Sequence, residues 1–194
     1  MRTRSRKHSG FTLIEVLIAV VIFGVGLLTV ASLQVVARKA NFEAVQRTTA
    51  THLAQGMLER MRANRTGLGT YIGAGELVLG GGVRAAPATT CQDRASPCTA
   101  TNLALADLWE WEQLLDGSYE TAGGASVGGL VSPTACIRSN AAGDTGNYSV
   151  SVAWRGATAS DVVPADDCGA GVAAYGAADE FRRVITVNTF INAL

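Results

Sequence analysis

Gly10-Phe11-Thr12-Leu13-Ile14-Glu15 opens onto Val16-Leu17-Ile18-Ala19 and then onto a stretch with no charge until Arg38. The uncharged run, Val16 to Ala37, is 22 residues long, enough to cross a bilayer core as a helix. Arg2, Arg4, Arg6 and Lys7 precede it, and one carboxylate, Glu15, sits at its start. A secretory signal peptide shares the basic start and the apolar run. Here, however, the run is too long and its end, Leu33-Gln34-Val35-Val36-Ala37-Arg38, is a poor cleavage site. A plain signal anchor fits the length. Four basic residues in front outnumber Arg38 and Lys39 behind, which keeps the N-terminus cytoplasmic. An anchor leaves Glu15 with only the weak attraction of a helix N-terminus, although a carboxylate beside hydrocarbon is costly and needs a reason.

Gly10 followed by Phe11-Thr12-Leu13-Ile14-Glu15-Val16 resembles the processing site of class III signal peptides in type IV pilins and type II secretion pseudopilins. The resemblance implies that a prepilin peptidase cuts after Gly10 and that the new N-terminus, Phe11, is methylated. It also implies that Glu15 selects and registers the subunit during assembly by pairing with a terminal amine in the filament. The physics is consistent, because a carboxylate in a dry helix bundle requires a cationic partner. Residues 1–10 then read as a cleaved basic leader, 11–37 as a transmembrane and filament-core helix, and 38–65 as an amphipathic stalk helix continuing the first. Residues 66–194 form a periplasmic head.

The overall charge is zero, but the distribution is uneven. From Thr66 onward there are thirteen acidic and six basic residues, so the head is acidic by seven. That argues against nucleic-acid binding through phosphates. Cys91, Cys98, Cys136 and Cys168 all lie on the far side of the membrane from the leader. In an oxidising compartment they read as two disulfides with three possible connectivities. Sequence proximity favours Cys91–Cys98 and Cys136–Cys168. Zinc is the rival ligand, but paired C-x-x-C spacing is absent.

Between 38 and 65 the chain holds no proline, and Phe42, Val45, Thr49, Leu53, Met57 and Met61 recur at helical steps as one apolar stripe. Gly67 and Gly69 are expected to end that helix. The head reads as α+β: a small antiparallel sheet on which the long helix packs. Glu76–Leu79 is a short strand candidate. A helix is expected from Leu103 to Leu115, with Asn102 as N-cap, Asp107 supporting its early turn and Gly117 as its stop. Leu105, Leu108, Trp111 or Glu112, and Leu115 form its apolar face. Trp109 and Trp111 cannot both point inward. Tyr148 to Trp154 alternates large and small residues as a strand does, and Arg183 to Phe190, with Val184, Ile185, Val187 and Phe190, is its expected antiparallel partner. Asp161, Asp166 and Asp167 crowd a loop near Cys168. Calcium takes carboxylate oxygens, but Asp-x-Asp-x-Asp spacing is absent, and neither a metal nor a cofactor is expected.

Asp107-Leu108-Trp109-Glu110-Trp111, Tyr148 to Gly156, and Arg183-Val184-Ile185, set around Cys136 and Cys168, resemble a PilV-type minor pilin. That likeness implies a low-abundance subunit acting in pilus initiation within a tip complex. Its partners are then the prepilin peptidase, other minor pilins and the major pilin, the assembly platform in the inner membrane, and a large tip adhesin. The chain is expected in the inner membrane as a single-pass protein before assembly and at the cell surface in the pilus afterwards. The alternatives are a GspI-like secretion pseudopilin and an adhesin-type binding module. An enzyme is not expected: H-E-x-x-H is absent, and Gly80-Gly81-Gly82 lacks the lysine that follows a phosphate loop.

A bulky charged residue in place of Gly10 is expected to leave an uncleaved precursor in the inner membrane. Mass spectrometry of the wild-type chain should find methylated Phe11 first, and any other mature terminus contradicts the processing site.

Overall fold

The computed structural model describes residues 10–82, 84–89, 91, 97–140 and 145–192, so the basic residues of the leader lie outside the described residues. Helix α1 runs from Leu13 to Ala63, and the chain divides into two compact units, Met1–Asn41 and Phe42–Leu194. Absence of proline lets α1 run for 51 residues. Glu15 in its first turn and Arg60 and Arg62 in its last match the helix dipole at both ends. In the first unit every large apolar side chain from Phe11 to Val36 is exposed, and this part is long and apolar enough to cross a membrane.

In the second unit, α1 ends before Asn64, which starts a 3-10 turn, Arg65–Gly67, and a short helix α2, Leu68–Ile72. Gly67 and Gly69 therefore lie inside these short helices rather than ending the stalk. Strand β1 (Glu76–Leu79) follows, then α3 (Ala100–Leu115), a small hairpin β2 (Thr121–Ala122) and β3 (Ala125–Ser126), and strands β4 (Thr134–Ser139), β5 (Gly146–Arg155) and β6 (Arg182–Ile191). The sheet is antiparallel in the order β1-β4-β5-β6. The fold is α+β, a long helix followed by a small antiparallel sheet.

The buried stripe of α1 is displaced from the expected one. Gln46, Ala50, Ala54, Met57, Leu58 and Met61 are buried, whereas Phe42 and Val45 remain 42% and 53% exposed. Counting apolar residues misses Gln46, because its amide is satisfied by backbone: Nε2 donates to Gly129 O at 3.3 Å, and Val131 N donates to Oε1 at 3.0 Å. Ala50 and Ala54 leave room for the helix to approach its neighbours.

Helix α3 starts three residues earlier than expected. Thr99, not Asn102, is its cap, with the Asn102 amide donating to the Thr99 hydroxyl at 3.2 Å. Its buried face is Ala104, Leu108, Trp111, Glu112 and Leu115, and Leu105 is exposed. Trp111 is the inward tryptophan, its indole donating to Leu53 O at 2.9 Å, while Trp109 is half-buried. Asp107 serves tertiary structure rather than the early turn. It accepts from Tyr71 and pairs with Arg60 at 2.8 Å, and Arg60 also reaches Glu110. Burial and the bond to Asp107 push the Tyr71 phenol upward. The stop is as expected: Gly117 has φ of 64°, and Ser118 N donates back to Gln113 O at 2.9 Å.

Glu112 explains the triple glycine. Its buried carboxylate accepts the amides of Gly80 (3.0 Å) and Arg84 (2.8 Å), and Asp116 accepts that of Gly81. A Cβ at Gly80 would meet Pro133 O at 2.3 Å, so the chain passes there only as glycine.

β5 is buried on both faces. Tyr148, Val150, Val152 and Trp154 join the core formed with α1 and α3, while Ser151 and Ala153 are buried on the opposite face. The segment between β5 and β6 provides the second cover. Cys168 and Tyr175 are buried in it, and Tyr175 Oη meets Ser132 O at 2.8 Å and Thr134 Oγ1 at 3.0 Å. Arg182 is almost fully buried and donates to the carbonyls of Asp166 (2.6 Å) and Cys168 (3.0 Å), drawing the segment onto the sheet. In β6 the register pairs Val150 with Val187 and Val152 with Ile185, so Ile185, Val187 and Ile191 face the core. Phe190 is out of phase with them and 62% exposed.

Cys136 is bonded to Cys168 and Cys91 to Cys98, with Cα separations of 5.8 and 5.5 Å. The first joins β4 to the covering segment. Beside it Asp166 accepts from Ser151 (2.6 Å), Thr186 (2.7 Å) and the Cys168 amide (2.9 Å), and meets Arg138 at 3.2 Å. Burial pushes this carboxyl up, but those donors outweigh it and hold the group at about 2. Asp166 and Asp167 both pair with Arg138. Among the described residues no three acidic, histidine or cysteine side chains gather as a metal site, and of the three loop aspartates Asp166 is the one that accepts bonds from several parts of the head.

Replacing both Cys136 and Cys168 by serine should lower unfolding stability by about 4 kcal/mol, against about 2 kcal/mol for the shorter Cys91–Cys98 loop, from loop entropy; denaturant titration measures both. Asp166→Asn should destabilise the head at neutral pH. A depressed carboxyl gives its full stabilisation above its unfolded value of 3.8 and loses it as pH falls through about 2. The difference in melting temperature between wild type and variant should therefore shrink across that window and be absent below it.

Candidate assembly site

The residues singled out at the N-terminus occupy one short stretch of backbone and helix. The Thr12 carbonyl accepts the amides of Glu15 (3.1 Å) and Val16 (3.3 Å), so the first turn of α1 forms immediately after Phe11. Phe11, Glu15, Ala19 and Phe23 are spaced by four residues and line one shallow apolar hollow of about 570 Å³ with Val16 and Val20. Phe11 is 82% exposed. Glu15 stands one turn from the residue expected to carry the mature amine, on the same ridge, with apolar neighbours and no ion pair among the described residues. A helix end favours a carboxylate only by a fraction of a kcal/mol in water; in hydrocarbon the ionised group requires a cationic partner. A Cβ at Gly10 would meet nothing within 4 Å. The fold therefore does not demand glycine there.

The other conspicuous residues are used within the head. All four cysteines are in disulfides, and the ion pairs of Arg60 and Arg138 tie elements of the head together. Gly124-Ala125-Ser126-Val127-Gly128 spells the G-x-S-x-G pattern of serine hydrolases. Ser126 lies on the second strand of the exposed β2–β3 hairpin, not on a turn from strand into helix, so the pattern lacks the context that would expose an activated hydroxyl over a sheet. Gln46 and Glu112 both accept backbone amides within the head.

Residues 5–31 match the family model for the prokaryotic N-terminal methylation motif, and residues 32–109 match the model for type IV pilin Tt1218-like proteins. No curated protein and no solved structure matches the chain. The methylation motif implies processing by prepilin peptidase and assembly with other pilins, and the pilin family is one of structural subunits. The two matches run consecutively from residue 5 to residue 109, over the long apolar helix and into the α+β head, and together they support a type IV pilin with a class III signal peptide.

Proposed function

We propose that the chain is a minor pilin that acts in filament initiation within a tip complex. The observation that carries the reading is the exposed apolar surface of α1 from Phe11 to Val36, interrupted by one carboxylate, Glu15. Such a surface has two stable environments, a bilayer and a bundle of like helices. Transfer from one to the other leaves apolar contact nearly unchanged, so the polar pair supplies direction and register. Cleavage after Gly10 creates the amine at Phe11, and Glu15 of an incoming subunit pairs with the amine of the subunit already in place. Repetition of that non-closing contact produces a helical array. In this scheme residues 11–37 are the membrane and filament-core segment, residues 38–65 the stalk, and residues 66–194 the periplasmic head. The leader faces the cytoplasm because of its four basic residues. The PilV-like motifs of the head support a minor role, with other minor pilins, the major pilin and a tip adhesin as the partners of this reading.

A secretion pseudopilin shares the same helix. Deletion separates the two: loss of pili with intact protein export supports the pilus reading, and loss of export with intact pili supports the secretion reading. Glu15→Ala should be processed normally yet be depleted from sheared filaments on the order of a hundredfold, the effect of losing one member of a desolvated ion pair worth about 3 kcal/mol. Quantitative blotting of sheared and membrane fractions measures it, and retention at the wild-type level refutes the role of Glu15.

A further inference from the structure

The sheet has one long open edge, and its chemistry specifies what can close it. In an antiparallel pair, alternate residues exchange hydrogen bonds with the partner strand and the others point their N–H and C=O away. Asn140 N donates to Asn147 O, in register with the β4–β5 ladder, and Gly156 N donates to Phe181 O, in register with the β5–β6 ladder. The even-numbered residues of β5 therefore bond to β6, where their partners are Arg183, Ile185, Val187, Thr189 and Ile191. Val184, Thr186, Asn188 and Phe190 consequently direct their backbone donors and acceptors outward. β6 is the last strand of the sheet, and no backbone bond among the described residues reaches those groups.

Natural edges of this length are blunted by proline, by charge or by a bulge. From Val184 to Ile191 there is no charge and no proline, and the pairing with β5 is continuous, without a bulge. At one end of the edge lies a cavity of about 540 Å³, whose walls include Arg47, Trp154, Val162, Pro164, and Arg183 and Val184 of the strand itself, together with Glu43, whose carboxylate accepts the Ala157 amide. Arg47 has no ion-pair partner among the described residues, and its guanidinium is a cation in a head that is otherwise acidic.

We infer that the outer edge of β6 is a strand-acceptor site. Its occupant is an extended segment of a different pilin subunit, which continues the sheet along Val184–Phe190 and places an acidic side chain in the cavity beside Arg47. Only an extended chain repeats donors and acceptors at the spacing this edge presents, so main-chain bonds supply affinity and the cavity supplies selectivity. The choice of another pilin as donor rests on the filament reading; the open edge does not.

Hydrogen exchange on the full mature chain in detergent micelles should show the amides of Val184, Thr186, Asn188 and Phe190 exchanging at least about a hundredfold faster than those of Ile185, Val187 and Thr189. Asn188→Pro removes one outward N–H that the fold does not use, so the head should keep its thermal transition, whereas Val187→Pro should unfold it. In cells, Asn188→Pro and Arg47→Glu should each reduce the subunit in sheared filaments about tenfold at unchanged membrane level. A photoreactive benzoylphenylalanine at Phe190 should crosslink to another pilin. Protected outward amides in micelles overturn the open edge. Wild-type retention of a folded Asn188→Pro variant, or a crosslink to a second copy of this chain or to lipid, overturns the acceptor site. If Glu15→Ala is depleted while Asn188→Pro is not, only the acceptor site fails; if Glu15→Ala is retained, the filament reading fails on its own terms.

Discussion

An apolar helix surface of some two dozen residues cannot remain in water, and much of this protein's organisation follows from that constraint. Each Leu, Ile, Val or Phe left exposed costs on the order of 1.5–3 kcal/mol relative to burial, and α1 exposes such residues on every side from Phe11 to Val36. A globular head could cover one face of a helix, but this segment has no polar face to leave outside. It therefore needs hydrocarbon or other helices, and both can be reached by a chain inserted in a membrane. Within that surface Glu15 is the one charged group, and lipid offers it no counter-charge.

From Phe42 onward the same helix meets a different requirement, since it must now leave one face polar. The stripe of Gln46, Ala50, Ala54, Met57, Leu58 and Met61 seals the core over β5, with Trp111 and Leu108 from α3 beside it. β5 is the central element, enclosed on one face by helices and on the other by the segment that Cys136–Cys168, Arg182 and Asp166 hold in place. These three attachments converge on a few residues, so the cover is fastened at one place. The sheet is consequently closed above and below while the outer edge of β6 stays open.

Much of this was legible in the chain. Strand Glu76–Leu79, the alternation in Tyr148–Trp154, the antiparallel partnership with the C-terminal strand and the stop at Gly117 all follow from local chemistry: alternation sets a strand's faces, and glycine tolerates the left-handed backbone that ends a helix. The misreadings share one cause. Phe42, Val45 and Leu105 are apolar but exposed, and Gln46 is polar but buried, because the backbone at Gly129 and Val131 satisfies its amide. Asn102 was a sound cap in composition; Thr99 takes the position, its backbone extended and its hydroxyl accepting the Asn102 amide, and the helix begins at Ala100.

By itself the sequence determined the long apolar helix, the isolated carboxylate at its start and the α+β class of the head, since each depends on residues near one another in the chain. The tertiary structure alone decided which polar groups are buried, which face of α1 is sealed, and that β5 is covered twice while β6 is not. Those outcomes depend on hydrogen-bond partners tens of residues away, such as Gln46 with Gly129 and Val131, or Glu112 with Gly80 and Arg84. Local periodicity carries no information about partners at that distance.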